Sequence, residues 1–498
     1  MEGTRQSILN RVMAWVVNQQ GMNGIPRGSA YWLYGSPGIG KSSLAHSICA
    51  NLHDRKQLAG AFFCRGDDPN LSELRNILPA LIYKLARIFP PFRTIVANRL
   101  RNDVNLSSTS MKHALLLELI HKLPRHPKHT LVFVIDALDE CGDDQSRPLL
   151  LKALTDAAEH VPWLKIIITS RPEVDIQRFF DPPMRYDLGA DQEAKDDLQT
   201  FARSEFDSVA SKRYLSTPWP EGSLFDKVIS MANGLFIFIK TLVLALWKCA
   251  DPKERFEVTL ESSTGTGLES LYGLYSSILK APVVDSDIPG FKRMIGVLLA
   301  TASYRPLCKE TIAKLAKVKT SVVKTWVDEL SSLLYRDEGA NGGVRVRHLS
   351  ISEFFVSDHC DYQVNLQAAH AELGIVCLET MVEQLCFNIC KLEDSRLANA
   401  DIQDLPARIQ CNISDTLQYS LLYWSNHVCF SPHNRDQVLG NLKKFLEGVY
   451  PLFWIEVLSL MGMVPVGAPS LRRLTSWIKV STPPVCRLFG FGPESNLL

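Results

Sequence analysis

The chain has 498 residues, 46% of them hydrophobic, with 54 basic against 53 acidic side chains and a net charge of +1. That length exceeds one hydrophobic core and predicts two to four domains, while the even charge balance excludes a chain-wide bias toward nucleic acid or anionic membrane. Its 12 cysteines form no CxxC pair and no zinc-spaced Cys/His cluster, and MEGTRQSILN lacks a signal-peptide core, so the thiols are read as reduced, the protein as cytoplasmic, and the sequons at Asn70, Asn105 and Asn412 as chance.

The N-terminal segment places Ile8, Leu9, Val12, Trp15 and Val16 at helical spacing behind Thr4 as a candidate cap, which predicts an amphipathic helix. A loop of Gly, Asn, Pro and Ser comes next. From Ala30 strand and helix alternate: AYWLYG, a helix from Lys41, LAGAFFC, a helix from about Leu74 to Ile88, LVFVID, a helix after Pro148, KIIITS and MRYDL. This order predicts an α/β fold, a parallel sheet with helices on both faces. The basic run PRHPKH precedes the third strand and reads as a solvated connector.

After Leu188 the pattern turns helical through DLQTFARSEF, LFDKVISMANGLFIFIKTLVLALWKC and LESLYGLYSSIL. The linker PVVDSDIPG leads to the apolar helix FKRMIGVLLATA, the helices KETIAKLAKV and SVVKTWVDELSSLL, a turn DEGANGG and the strand VRVRH. That is the outline of a winged helix. From Asp361 onward only helices are expected, without a repeat, and RLFGFGPESNLL reads as a frayed or truncated end. The predicted domains are therefore 1–190, 191–285, 286–360 and 361–498. GLFIFIKTLVLALW is too short for a membrane span and carries Lys240, and YPLFWIEVLSLMGMVPVGA is broken by Glu456 and Pro465; both are expected to be buried helices. Cys386 and Cys390, one helical turn apart with no His beside them, read as core thiols.

The most specific signal is GSPGIGKS, which fits GxxxxGK[ST] between a predicted strand and a predicted helix. The set Gly35, Ser36, Pro37, Gly38, Ile39, Gly40, Lys41, Ser42 and Ser43 then forms a P-loop: glycines let backbone N–H groups curl around phosphate, Lys41 reaches the β- and γ-phosphates, and Ser42 ligates Mg²⁺. LVFVIDALDECGDD carries five carboxylates in nine positions on the end of an apolar strand. Beside a P-loop, Asp136 is the second candidate for the Mg²⁺ site, and Asp139 and Glu140 are candidates to orient or deprotonate water. Cys141, Asp143 and Asp144 are expected in a solvated loop. Arg171 comes after another apolar strand, so it is expected at the same sheet edge, reading a γ-phosphate or closing a salt bridge to Glu173 or a loop carboxylate.

GSPGIGKS, VIDALDE and ITSRPE in this order resemble the NACHT domain of the signal-transduction NTPases that include NOD-like receptors. GTRQSILNRVMAWV, AFFCRGDD, ANGLFIFIKT, LESLYGLYSSIL, HLSISEFF and LLYWSNHV resemble the NACHT proteins of mushroom-forming fungi, over most of the chain to about Trp477. The resemblance implies a P-loop nucleotide domain, a helical lid and a winged helix that close over ADP and open on exchange for ATP to oligomerise. The response would be of an innate-immunity or programmed-cell-death kind. It also implies that Lys41 and Ser42 contact phosphate and Mg²⁺, Asp136 the Mg²⁺ site, Asp139 and Glu140 the acidic pair, Arg171 the sensor, and His348 the β-phosphate. A lid proline that touches the base in many relatives has no counterpart in ANGLFIF, so GTP stands beside ATP as a ligand. No effector domain precedes the P-loop and no repeats come after, so effector and sensor functions are expected from partners or missing segments.

Three functions remain: a nucleotide-dependent switch with slow NTPase activity, a constitutive P-loop ATPase, and a winged-helix nucleic-acid-binding regulator. Residues 309–347 hold eight basic and five acidic side chains, a small surplus for a DNA reader. The switch is the leading expectation, with a homo-oligomer on activation.

Overall fold

The computed structural model describes residues 3–17, 28–102, 129–191, 193–263, 265–337, 342–394, 396–431 and 436–480. Its strands β1 (Ala30–Tyr34), β2 (Leu58–Phe63), β3 (Leu131–Asp136), β4 (Leu164–Ser170) and β5 (Arg185–Asp187) form one sheet in the order β2-β3-β4-β1-β5, with every pairing parallel. This is the predicted α/β fold of a P-loop NTPase, with a largely helical C-terminal part. β4 lies between the P-loop strand β1 and the acidic strand β3, so the loop that leaves β4 at Arg171 emerges between their ends.

Every residue of β3 and β4 is buried, as expected for inner strands covered on both faces. Side chains alternate along them. Phe133, Ile135, Ile166 and Ile168 join Trp32 in a core with the helices Ile77–Ile88 and Arg147–His160. Val132, Val134 and Ile167 join Tyr31 and Leu33 in a second core with the helices Gln6–Val17 and Lys41–Asp54. The period-two alternation sorts one apolar run into two cores.

The N-terminal helix buries Ile8, Leu9, Val12, Met13, Trp15 and Val16. Trp15 stacks on Tyr31 with ring centroids 5.3 Å apart, and the Lys165 ammonium donates to the Trp15 carbonyl at 2.5 Å while lying 4.5 Å from its ring centroid. Burial pushes the Lys165 ammonium down to about 8, because the charged form loses hydration beneath this helix.

The chain divides into two compact units. The first, Met1–Leu279 with Ser331–Leu333 and His348–Ile351, adds the helices Ala194–Arg213, Gly222–Ala232, Phe236–Lys248, Pro252–Ser262 and Leu268–Lys280 to the sheet. The long helical stretch expected here breaks at Asn233 and Gly234, with φ of 43° and 84°. Those left-handed residues stop the first helix and re-aim the chain into the second.

The second unit holds the helices Ile288–Thr301, Lys309–Leu315 and Thr320–Glu329, then an antiparallel hairpin of β6 (Leu334–Arg336) and β7 (Val344–Val346), with a further bridge from Leu307 to Val344. The helix expected over SVVKTWVDELSSLL ends at Glu329, and Leu334 opens a strand instead. Its pairing partner β7 is too distant in sequence for helical periodicity to reveal. Farther on, the helices Leu366–Gln384 and Asp415–Phe430 pack together, and His370 Nδ1 lies 2.8 Å from His427 Nδ1, whose Nε2 is 2.8 Å from the Tyr419 hydroxyl.

Cys386 is exposed and Cys390 buried, which corrects the expectation of two core thiols: the helix ends at Gln384, so the one-turn spacing no longer puts both sulfurs on a packed face. Residues 18–27 of the loop before β1, Asn105, all but His129 of PRHPKH, most of the expected hairpin turn and RLFGFGPESNLL lie outside the described residues. Among the described residues no helix is long and apolar enough to cross a membrane.

Trp15→Ala removes a fully buried ring and the surface over Lys165, and is expected to destabilise the protein by about 3–5 kcal/mol. The midpoint of denaturant unfolding followed by circular dichroism measures the loss.

Candidate functional site

The site assembles at the C-terminal edge of the sheet. Tyr34 of β1 is in register with Ser170 of β4, and the Gly35 N–H donates to the Ser170 carbonyl at 3.3 Å. β3 ends alongside at Asp136. Parallel pairing therefore brings the starts of three loops to one level, the level at which open α/β sheets bind ligands.

Gly38 and Gly40 have φ of 79° and 95°, a region that side chains with a Cβ rarely enter. Gly40 caps the helix that opens at Lys41, so the loop's backbone N–H groups and the positive end of a 14-residue helix share one concavity. The Lys41 ammonium lies back over this loop, donating to the Gly35 carbonyl at 2.8 Å and the Ser36 carbonyl at 3.0 Å. Burial lowers its pKa despite the raising influence of Asp139, Asp136 and Glu140.

The five carboxylates of the acidic stretch separate in space. Asp136 is 2% exposed and accepts hydrogen bonds from the Ser42 and Thr169 hydroxyls. Burial raises its pKa against those donors. Asp139 accepts the Arg171 N–H at 3.1 Å and pairs with its guanidinium at 3.3 Å. Of the two salt-bridge partners expected for Arg171, the loop carboxylate forms the pair. Glu140 accepts the Gly66 N–H at 3.1 Å, and burial pushes it up to about 7. Arg147 steadies the turn between them, donating to the Asp139 and Gly142 carbonyls and pairing with Asp175 at 2.7 Å. Asp143 and Ser146 satisfy each other on the exposed side.

One cavity of about 380 Å³ is lined by Pro37, Gly38, Gly40, Lys41, Ser42, Ser43, Asp139, Glu140, Arg171 and His348, and all of them belong to the first unit. Of the remaining predicted residues, Gly35 and Ser36 hold Lys41 through their carbonyls, Ile39 packs in the core beneath, and Asp136 sits behind Ser42. His348 is held through Nδ1, which accepts the Ser350 N–H at 3.2 Å and lies 2.7 Å from the Ser350 hydroxyl, itself 2.8 Å from the Tyr275 hydroxyl. Burial and the nearby Lys41 and Arg171 push the imidazole down to about 4. It is therefore neutral at pH 7, with its proton on Nε2, a donor suited to an anionic oxygen.

Two kinds of residue carry no signal in the sequence. Arg5 is 3% exposed and reaches the Ile39 and Leu188 carbonyls, both at 3.3 Å, and Asp191 at 3.2 Å. Its own N–H donates to Asp197 at 3.0 Å and its guanidinium lies over Phe236. An arginine ahead of an amphipathic helix has no periodic feature that separates it from a solvated charge. Phe201, Glu205, Phe236, Ile237 and Lys240 also line the cavity. They come from the helices after the sheet, whose apolar spacing announces packing and not which residues face the P-loop.

Residues 3–171 match the family model described as Nephrocystin 3, N-terminal. The chain is 25% identical over 533 aligned positions to the vegetative incompatibility protein HET-E-1 of Podospora anserina, covering 96% of this chain and 37% of that protein's length. Among solved structures it is similar to the Walker-type ATPase PABY2304 of Pyrococcus abyssi, at 13% identity, 70% of this chain, 95% of that chain and a TM-score of 0.32. It is also similar to Cdc6p of Pyrobaculum aerophilum, at 11% identity, 71% and 94% coverage and a TM-score of 0.33. The sequence matches show the resemblance to the fungal NACHT proteins.

A Glu140 carboxyl held near 7 in the folded protein, above its ordinary 4.5, binds a proton that the unfolded chain has released, so folding stability falls as pH rises from about 4.5 through 7. Glu140→Gln removes that burden and is expected to stabilise the metal-free protein by about 2 kcal/mol at pH 8 and by little at pH 4.5. Melting temperatures of both proteins across that range, in chelator, provide the check.

Proposed function

We propose, taking the likeness to the fungal NACHT proteins as premise, that the chain is a nucleotide-dependent switch that binds ATP or ADP with Mg²⁺ and hydrolyses ATP slowly. The observation that carries this reading is the gathering of Lys41, Ser42, Glu140, Arg171 and His348 around one cavity, with Asp136 hydrogen-bonded behind it. Those residue types supply cations for phosphate, oxygens for a hard metal and a carboxylate for water.

The residues fit Mg²⁺. Asp136 is a buried carboxylate whose hydrogen-bonding neighbours are hydroxyls, one of them Ser42; this pairing of one carboxylate and one hydroxyl suits an ion that keeps waters and phosphate oxygens as its other ligands. Ser42 and Asp136 would hold it, and when bound it supplies positive charge against the phosphates. The loop N–H groups and Lys41 orient the phosphate chain. His348 Nε2 donates to a phosphate oxygen, and Arg171, steered by Asp139, stabilises the charge of the departing phosphoryl group.

Glu140 is the residue to take a proton from the attacking water. Its pKa near 7 leaves about half of it ionised at neutral pH, and the Gly66 N–H occupies one of its oxygens. A pKa near the working pH suits a general base, and the slow turnover proposed for the switch rests on the likeness to the fungal NACHT proteins. In this reading, residues 191–285 are the helical lid and 286–360 a winged helix, and exchange of nucleotide opens the protein for homo-oligomerisation in cytoplasmic signalling. The chain spans 37% of the length of the relative it matches.

Purified protein, denatured and analysed for released nucleotide, is expected to yield ADP or ATP, and Mg²⁺ with either nucleotide is expected to raise its melting temperature. Lys41→Ala is expected to weaken nucleotide binding by at least tenfold; unchanged affinity in isothermal titration contradicts the role given to this lysine. A wild-type protein that neither carries nor is stabilised by any nucleotide would falsify the switch.

A further inference from the structure

The helices after the sheet bring a second ammonium to the cavity. The Ile237 N–H donates to the Gly38 carbonyl at 3.2 Å, and a Cβ on Gly38 would stand 2.1 Å from the Ile237 side chain. The start of the helix Phe236–Lys248 is thus fixed directly on the P-loop. Lys240 lies three residues beyond Ile237 on that helix, a spacing that puts the two on one face. Its ammonium is 3.1 Å from both Glu205 carboxylate oxygens, and both side chains line the same cavity as Lys41 and Ser42.

Lys240 is 48% exposed and Glu205 24%, and pairs this wet contribute little to stability. The ion pair therefore holds the ammonium only weakly. A lysine on a flexible four-carbon stem can exchange one anion for another without moving its helix, and a nucleotide phosphate carries more charge than a carboxylate.

We propose that Lys240 is a phosphate ligand supplied by the lid, held ready by Glu205 and transferred to a phosphate oxygen when nucleotide binds. The inference rests on the nucleotide reading of the site and deepens it. Lys41 belongs to the sheet domain, whereas Lys240 rides on a helix of residues 191–285, so its contact would tie that helix, already bonded to the P-loop at Ile237, to the phosphates as well. Glu205 acts as a competing anion that keeps the ammonium in place and limits affinity.

Isothermal titration of the purified full chain with ADP and with ATP, each with Mg²⁺, compares wild type with Lys240→Ala, Lys240→Arg and Glu205→Gln. Lys240→Ala is expected to weaken binding about tenfold while its nucleotide-free melting temperature stays near that of wild type. Lys240→Arg is expected to keep most of the affinity, and Glu205→Gln to bind as tightly as wild type or more tightly. Wild-type affinity in Lys240→Ala overturns the proposal, as does an equal loss in Lys240→Ala and Glu205→Gln, which marks the pair as a strut between two helices. Binding abolished by Lys41→Ala but untouched by Lys240→Ala overturns this inference alone; a wild-type protein that takes up neither nucleotide overturns the reading of the site and this inference with it.

Discussion

The hydrogen-bond ladder that joins β1 to β4 and β4 to β3 is the constraint on which the site depends. Parallel strands offer evenly spaced bonds and point their C-terminal ends the same way. Because Tyr34 pairs with Ser170 and Ile135 with Ile168, the P-loop, the acidic turn and Arg171 leave the sheet together. Burial on both faces fixes that register: a one-residue slip of β3 would trade Phe133 and Ile135 for Val132 and Val134 between two differently shaped cores.

On this frame the electrostatics sort themselves by burial and partner. Asp139 is committed to Arg171, Asp136 to hydroxyl donors, and Glu140 to a backbone N–H. Three carboxylates within five residues thus meet three environments, and burial lifts Glu140 toward neutrality against the pull of its N–H donor. The same low-dielectric setting, with two cations nearby, keeps His348 neutral. A neutral donor and an acid tuned toward neutral pH thus stand beside the phosphate loop, where the proposed reading has them bind a phosphate oxygen and activate water.

Much of the site was legible because its parts carry local signals. GSPGIGKS sits between a strand and a helix, and its glycines at 38 and 40 do adopt left-handed φ. The acidic stretch ended an apolar strand, and Asp136 does terminate β3. The division of labour between Asp139 and Glu140 was not legible, since adjacent acids look alike until Arg171 and Gly66 choose between them. Arg5 and Lys240 were invisible for a related reason: their partners are contributed by distant segments, Asp191 and Asp197 for one and Glu205 for the other. The departures at Leu334 and Cys386 both fall beyond helix ends, where long-range pairing or the adjoining turn overrides helical periodicity; Cys141, expected in a solvated loop, is instead fully buried in the sheet's core, and the helix Tyr450–Leu460, expected to be buried, exposes Leu452 and Ile455.

Sequence alone determined the alternation of strand and helix, the phosphate loop and the identity of the acids and cations, because these depend on side-chain periodicity and on the backbone freedom of a few glycines. Tertiary structure decided which acid meets Arg171 and which meets the Gly66 N–H, which donor holds His348, and which face of the helix Phe236–Lys248 meets the P-loop. Those outcomes depend on distances between residues far apart in the chain, and distance is set by the packing of the sheet's two cores.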